Sequence, residues 1–227
     1  MTKKILLLKA SKDVCGNEIN LIKNHCELLG MVVFESSIGS YNELQQSFAE
    51  YETKNLQFDY IYLCTHGNTN CFLANMSGHA EYIKWADFSS ELCIRGMLSD
   101  SGIVLLACCK GGFSKVAYDI FACCNTVNYI CGIKWSIAPW DITTGFVVFI
   151  HNMETKKAEP RYAALKASQA TDYTFHCYDR DEIETNPAYY HRAAQLFSDL
   201  GWVDDNGEWV ESDPNVNKYA DKDVLVY

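Results

Sequence analysis

Short apolar runs alternate with segments of helical periodicity along the first two thirds of the chain. The apolar runs are rich in β-branched and aromatic residues, which is typical of buried strands; they cover residues 3–10, 31–36, 58–65, 101–108 and 127–133. Amphipathic segments between them predict helices at residues 17–29, 41–54, 86–98 and 114–123. This alternation predicts an α/β fold, a three-layer sandwich in which helices cover both faces of a mostly parallel sheet.

The last third of the chain has a different character. Two further helices are predicted at residues 142–155 and 160–171, and the segment from about residue 176 is acidic and aromatic. In that segment a short helix is expected to begin near Pro187, and Asn206-Gly207 predicts the turn of a hairpin. We therefore divide the chain into a main domain, residues 1–175, and an acidic appendage, residues 176–227, packed on the same domain.

Composition limits where the protein can work. Of its 227 residues 48% are hydrophobic, which is enough for a core, and no run approaches the roughly 18 uncharged apolar residues of a membrane span. The basic start is followed by a short apolar run that Lys9 and Lys12 interrupt, so we interpret it as a strand and not as a signal peptide. Eleven cysteines, an odd number, without an export signal favour a reducing, cytoplasmic setting.

Charge and motifs narrow the range of partners. A net charge of -10 argues against nucleic acid and anionic membranes as partners, since phosphate binding needs clustered Lys and Arg. It is compatible with a basic peptide substrate, although an acidic surface also serves simple solubility. No P-loop or G-x-G-x-x-G motif follows the first predicted strand, and we expect no cofactor.

The candidate chemistry lies at two strand ends. In open α/β sheets, ligands bind beyond the carboxyl ends of the strands. His66 directly follows the third predicted strand and Cys108 ends the fourth, and glycines lie close to both. A thiol nucleophile needs a base near neutral pH, which imidazole provides, and main-chain N–H groups near glycine can stabilise an oxyanion. The pair predicts a Cys-His dyad, with Gly67 and the Cys108 amide as oxyanion donors.

These two segments carry a family resemblance. FDYIYLCTHG and SGIVLLACCKGG resemble the caspase-like cysteine peptidases, above all the bacterial CHAT domains, in which a strand ending in [ST]-H-G precedes one ending in A-C. The following YICGIKWSIAPWDITTGFVVFIHNM is similar to the CHAT continuation. The resemblance covers about residues 3–170 and is clearest from 58 to 153. It implies a caspase-like sandwich and a cysteine endopeptidase with His66 as acid/base and Cys108 as nucleophile.

The resemblance also implies a biological context. CHAT relatives often belong to bacterial defence or regulated-death systems and cut a protein substrate such as a gasdermin-like effector. Since the sequence shows no separate sensor domain, activation is expected to come from a protein partner, from cleavage or from self-association. Cys109 is the alternative nucleophile, because Cys109-Lys110-Gly111 mimics the C-R-G of caspases; on an extended strand only one of the two thiols can face His66.

Substrate selection is predicted from two further residues. Relatives that cut after Arg or Lys use a carboxylate in the pocket for that side chain, and Asp141 is the candidate, with Trp135 as a wall. Asp141 could instead cap the helix at 142–155, and Trp135 and Trp140 could simply pack.

Two other classes of protein remain open. The chain could be a non-catalytic interaction module that keeps a caspase-like fold as a scaffold. It could also be a zinc or redox protein, since Cys64, His66, Cys71 and His79 are ligand types and the chain has two Cys-Cys doublets.

Overall fold

The computed structural model describes residues 2–204 and 208–210. In these ranges the strands are Lys4–Lys9 (β1), Val32–Ser37 (β2), Phe58–Cys64 (β3), Cys71–Ala74 (β4), Glu81–Lys84 (β5), Leu98–Ala107 (β6), Tyr129–Ile133 (β7) and Phe175–Asp179 (β8). The helices are Cys15–Leu28 (α1), Tyr41–Thr53 (α2), Trp85–Ile94 (α3), Ser114–Cys123 (α4), Pro139–Lys156 (α5), Pro160–Thr171 (α6), Arg180–Ile183 (α7) and Pro187–Asp199 (α8).

Six strands form one sheet in the order β2-β1-β3-β6-β7-β8. All neighbours are parallel except β7 and β8, which are antiparallel. The chain runs from β1 outward to β2 and then returns to the other side of β1 as β3. The strand order therefore reverses between β1 and β3, which is where open α/β sheets form their binding crevice.

Two apolar cores lie on the two faces of this sheet. Alternate residues of each central strand enter opposite cores: Leu6 and Leu8 join the core that contains α2, α3, α4 and α8, while Ile5 and Leu7 join the core of α1, α5 and α6. Where they are buried on both faces, the central strands are continuously apolar: residues 5–8 of β1, 60–64 of β3 and 103–107 of β6. The predicted α/β sandwich with a mostly parallel sheet is confirmed.

The sequence pattern predicted most elements but misjudged some. The predicted strand at 101–108 begins earlier, at Leu98, and the predicted helix at 86–98 ends at Ile94. β8 was not expected, because Phe175–Asp179 lacks a continuous apolar run; it is an edge strand of which only Phe175 is buried. Asp59 lies within β3, where its carboxylate accepts from the Lys3 ammonium and the Lys4 N–H, both at 2.8 Å.

The C-terminal part of the described chain packs on α4. Tyr189, Ala193 and Phe197 of α8 enter the same core as α4, and Pro187 stands at the first position of α8 as expected. Val203 and Trp209 form an antiparallel bridge, whereas the predicted turn at Asn206-Gly207 lies outside the described residues. Within the described ranges, no helix is long and apolar enough to cross a membrane.

Candidate active site at the carboxyl edge of the sheet

His66 is held by its backbone at the end of β3. Thr65 N–H donates to the Ala107 carbonyl at 3.2 Å, which ties this end of β3 to β6. On the other side the His66 N–H donates to Ser11 Oγ at 3.3 Å, and Ser11 Oγ also lies 3.0 Å from Thr65 Oγ1. The main chain of His66 is thus fixed between the ends of two neighbouring strands, while its ring is 48% exposed.

The ring of His66 meets a carboxylate that sequence reasoning missed. Its Nε2 lies 2.7 Å from Oδ2 of Asp13, in the loop between β1 and α1. The hydrogen bond with His66 is the largest influence on the Asp13 carboxyl, and the pKa of Asp13 is lowered from its ordinary value. Asp13 follows β1 at the same edge of the sheet, so the rule that led to His66 and Cys108 could also have found it.

The Cys108 side chain is buried, and its sulfur packs close to the backbone that follows His66. A Cβ atom on Gly67 would be 2.8 Å from the Cys108 sulfur, and one on Gly111 would be 2.9 Å from it. The sulfur therefore packs against two glycine backbones, one of which directly follows His66. Cys108 is only 3% exposed, and burial, then the neighbouring Cys109, raises the pKa of its thiol well above the ordinary value.

The two candidate thiols differ in their surroundings. Cys108 shares a core with Leu106, whereas Ala107 lies in the core of the opposite face, and Cys109 is half-buried. In the described part of the chain, no hydrogen bond joins the His66 ring to either sulfur. In this structure the His66 ring is hydrogen-bonded to the Asp13 carboxylate, and burial keeps the Cys108 thiol protonated.

Gly67 supplies a main-chain donor beside the sulfur. It forms an antiparallel bridge with Phe72 whose two hydrogen bonds run from Asn68 N–H to Cys71 O, at 3.0 Å, and from Leu73 N–H to His66 O, at 2.8 Å. Neither bond uses the N–H of Gly67, which suits the predicted oxyanion role.

The residues predicted to select the substrate lie after β7. Trp135 is 64% exposed, and its carbonyl accepts from Lys110 N–H at 3.4 Å, so its backbone contacts the loop that carries the cysteines. Trp140 is 72% exposed, and the alternative that these tryptophans pack in the core is therefore wrong. Asp141 does not cap its helix either: α5 begins at Pro139 with Ala138 at the cap, and Asp141 lies in the first turn.

A cleft of about 450 Å³ adjoins the His66–Asp13 pair. One wall comes from the β1–α1 loop and the start of α1, including Asp13 and Glu18, and the other from Pro139, Trp140 and Thr143 of α5. Asp141 is not part of this lining. The cleft is thus an open space next to Asp13, the hydrogen-bond partner of His66, and His66 itself does not line it.

Glu18 lies in this wall and is almost completely buried. Its carboxylate accepts from the Tyr62 hydroxyl at 2.5 Å, and burial raises its pKa to about 7. In 2–204 and 208–210, no group of three or more His, Cys, Asp or Glu residues is arranged to hold a metal ion. Cys64, His66, Cys71 and His79 therefore do not form the site that the zinc alternative needs.

Fold and site together define the class: an α/β protein with a mostly parallel sheet, whose carboxyl edge carries a histidine–carboxylate pair and a glycine-enclosed thiol that packs against the residue after the histidine. Neither a protein-family model nor a curated protein matches the sequence.

Proposed function

We propose that this chain is a cysteine endopeptidase of the caspase-like, CHAT type, with His66 as acid/base and Cys108 as nucleophile. One observation carries the proposal: the backbone directly after His66 touches the Cys108 sulfur at the carboxyl edge of two adjacent parallel strands. This edge is where the chemistry of such sheets is found. The sequence resemblance of the same two segments points to the same pair.

The proposed reaction uses groups that lie together at this edge. The thiol transfers its proton to His66 and attacks the peptide carbonyl, and the N–H groups of Gly67 and Cys108 receive the oxyanion. His66 then protonates the leaving amine, a thioester forms at Cys108, and water hydrolyses it. Trp140 and the cleft beside Asp13 are the proposed surroundings of the substrate side chain. Trp135 and Asp141 remain proposed contributors to selection.

The burial of the thiol suggests that this enzyme is latent. A protonated, enclosed cysteine is a poor nucleophile, so the proposed activity requires a change that uncovers Cys108. We assign that change to an activating protein partner in a reducing, cytoplasmic setting, and the substrate to a protein such as a gasdermin-like effector. A regulated-death or defence role follows from the resemblance alone.

The same burial favours the second candidate, a non-catalytic scaffold. An inert thiol without a hydrogen bond to the histidine is what a structural cysteine would show. The two functions differ in the reactivity of the cysteines, which can be measured without knowing the substrate.

Mapping of alkylated cysteines separates the two functions. Native protein is treated with a peptide chloromethylketone, and the rate at each cysteine is followed by mass spectrometry. Cys71 and Cys177 are half-buried like Cys109 and serve as internal references. Because the proposed enzyme is latent, the comparison is made in lysate of the source cells, which supplies the activating partner; there an enzyme should label Cys108 or Cys109 at least about tenfold faster than these references, and His66→Ala should remove the difference. Uniform slow labelling that His66→Ala does not change supports the scaffold.

A pair of substitutions then assigns the nucleophile. Cys108→Ala is expected to abolish cleavage of a protein or peptide substrate, and Cys109→Ala to retain it. Because the two residues are neighbours with the same chemistry, each variant is the matched control of the other. Full activity in Cys108→Ala with none in Cys109→Ala moves the nucleophile to Cys109.

A further inference from the structure

We propose that Asp13 is the positioning residue of this site, holding His66 in the tautomer whose Nδ1 takes the proton of the nucleophilic thiol. The inference rests on the proposed function and deepens it, because it adds a third member to the Cys-His pair. It starts from the 2.7 Å contact between Asp13 Oδ2 and His66 Nε2. Asp13, His66 and Cys108 follow β1, β3 and β6, which are adjacent in the sheet.

Hydrogen bonds to two neighbouring segments, the end of β3 and the residue after β4, hold the loop that carries Asp13. Ala10 N–H donates to the Cys64 carbonyl at 3.0 Å, and the Ala10 carbonyl accepts from Asn75 N–H at 2.8 Å. The Asn75 side-chain oxygen in turn accepts from Lys12 N–H at 3.0 Å. These bonds fix the backbone immediately before Asp13, and Ser11 contacts the backbone of His66. A carboxylate on such a loop is placed in advance, as an orienting group requires.

Two simpler roles for Asp13 account poorly for this contact. The first is capping of α1, since aspartate is common at helix starts. However, the cap residue of α1 is Val14, no side chain caps this helix, and the Asp13 carboxylate is hydrogen-bonded to His66. A surface ion pair kept for stability is the other possibility. Both side chains are about half exposed, and pairs in such positions contribute little to folding. We therefore assign to Asp13 the role of orienting the His66 ring.

The protonation states follow from the donor inventory. An ionised carboxylate can only accept, so the neutral imidazole must carry its proton on Nε2, and the lone pair is left on Nδ1. When the thiol reacts, its S–H bond breaks, the proton moves to Nδ1, and the imidazolium keeps its Nε2–H on Asp13. The proton on Nδ1 later passes to the leaving amine. Asp13 remains ionised throughout, as the carboxylate of a Ser-His-Asp triad does.

Kinetics of three variants test the role. Asp13→Asn keeps the size of the side chain but can hold the ring in either tautomer. It is expected to lower kcat by about 100-fold or more while KM changes by less than about threefold. Asp13→Glu should recover part of kcat, and Asp13→Ala should not. Glu52→Gln, which breaks another half-exposed ion pair, with Arg95, is the control and should leave kcat unchanged.

The melting temperature of Asp13→Asn distinguishes an orienting role of Asp13 from a structural one. The melting temperature of Asp13→Asn should lie within about 4 °C of the wild type, because the lost pair is exposed. The inference is overturned when Asp13→Asn keeps kcat within about threefold of the wild type, or loses it only in step with its melting temperature.

Nitrogen-15 chemical shifts of the His66 ring give a readout that needs no substrate. In the neutral ring the wild type should show the Nε2–H tautomer, and Asp13→Asn should redistribute it toward Nδ1–H. A wild type that is mainly Nδ1–H overturns the inference even if no cleavage is ever detected. If a cysteine variant abolishes cleavage while Asp13→Asn does not, the inference fails and the proposed function stands. If both cysteine variants cleave normally, the proposed function itself fails.

Discussion

At the scale of single residues, Glu18 is an acid in an environment unlike water. It lies in the wall of the cleft, enclosed by α1 and β3, and the Tyr62 hydroxyl is its hydrogen-bond donor. Burial raises the pKa of Glu18 to about 7, while the hydrogen bond from Tyr62 opposes the shift. The folded protein therefore favours the protonated acid, and ionising it costs stability.

Glu18 should make stability fall as the pH rises. Between about pH 4.5 and 7 the folded state binds more protons than the unfolded state, so the contribution of Glu18 declines across that window and is lost above it. The shift corresponds to about 3 kcal/mol. In urea unfolding at pH 5 and pH 8, Glu18→Gln should be less pH-dependent than the wild type by that amount. Glu27→Gln, on the exposed side of α1, is the control; equal slopes in all three proteins would contradict the prediction.

At the scale of elements, local sequence rules set the ends of several helices. α2 begins as predicted after Ser40, whose side chain accepts from Glu43 N–H at 3.2 Å. The Glu43 carboxylate accepts from Gly39 N–H at 2.7 Å, so side chains satisfy one free donor of the helix and the donor of the residue before its cap. A short polar motif thus determines where the helix starts, independently of the rest of the fold.

Removing this cap should cost a measurable part of the free energy of unfolding. Ser40→Ala is expected to destabilise the protein by about 1 kcal/mol, because Glu43 N–H loses its partner. Thr53→Ala at the other end of α2 loses only an exposed bond to a carbonyl that water can replace, and should change stability by less than about 0.5 kcal/mol. Urea unfolding of both variants gives the comparison, and equal effects would argue against the cap.

At the scale of the whole molecule, a buried charge links α8 to α4. Asp119 of α4 is almost fully buried and accepts from Arg192 of α8 through Nε, at 2.6 Å, and Nη2, at 3.0 Å. Lys115 is its second charged partner and donates a third hydrogen bond, at 2.9 Å. The contact satisfies a carboxylate that would otherwise be desolvated without enough donors, so it fixes how α8 lies on α4.

Loss of the contact between Arg192 and Asp119 should lower the free energy of unfolding, and a second substitution should restore part of it. Arg192→Met is expected to destabilise the protein by about 2–3 kcal/mol, since a buried carboxylate keeps only Lys115. Adding Asp119→Asn removes the buried charge and should recover part of the loss. Arg161→Met, which breaks an exposed pair with Glu182, should cost less than about 1 kcal/mol. A double variant no more stable than Arg192→Met would refute this account.

By itself the sequence determined the layers of this protein and the edge on which its chemistry is proposed. Strand and helix periods are local properties, so β1, β3 and β6 and the helices between them could be predicted from their own residues. His66 and Cys108 were found because parallel strands end at one edge. β8 escaped because an edge strand buries little and so carries a weak apolar signal.

Only the tertiary structure decided which side chains meet at that edge. The contact of Asp13 with His66, the enclosure of Cys108 by Gly67 and Gly111, and the exposure of Trp135 and Trp140 depend on loops from separate strands. No local pattern encodes the contact of Asp13 with His66 or of Gly67 with Cys108, because these pairs are 53 and 108 − 67 = 41 positions apart in the chain. Burial, and with it the protonation state of Cys108, is likewise a property of the packed molecule.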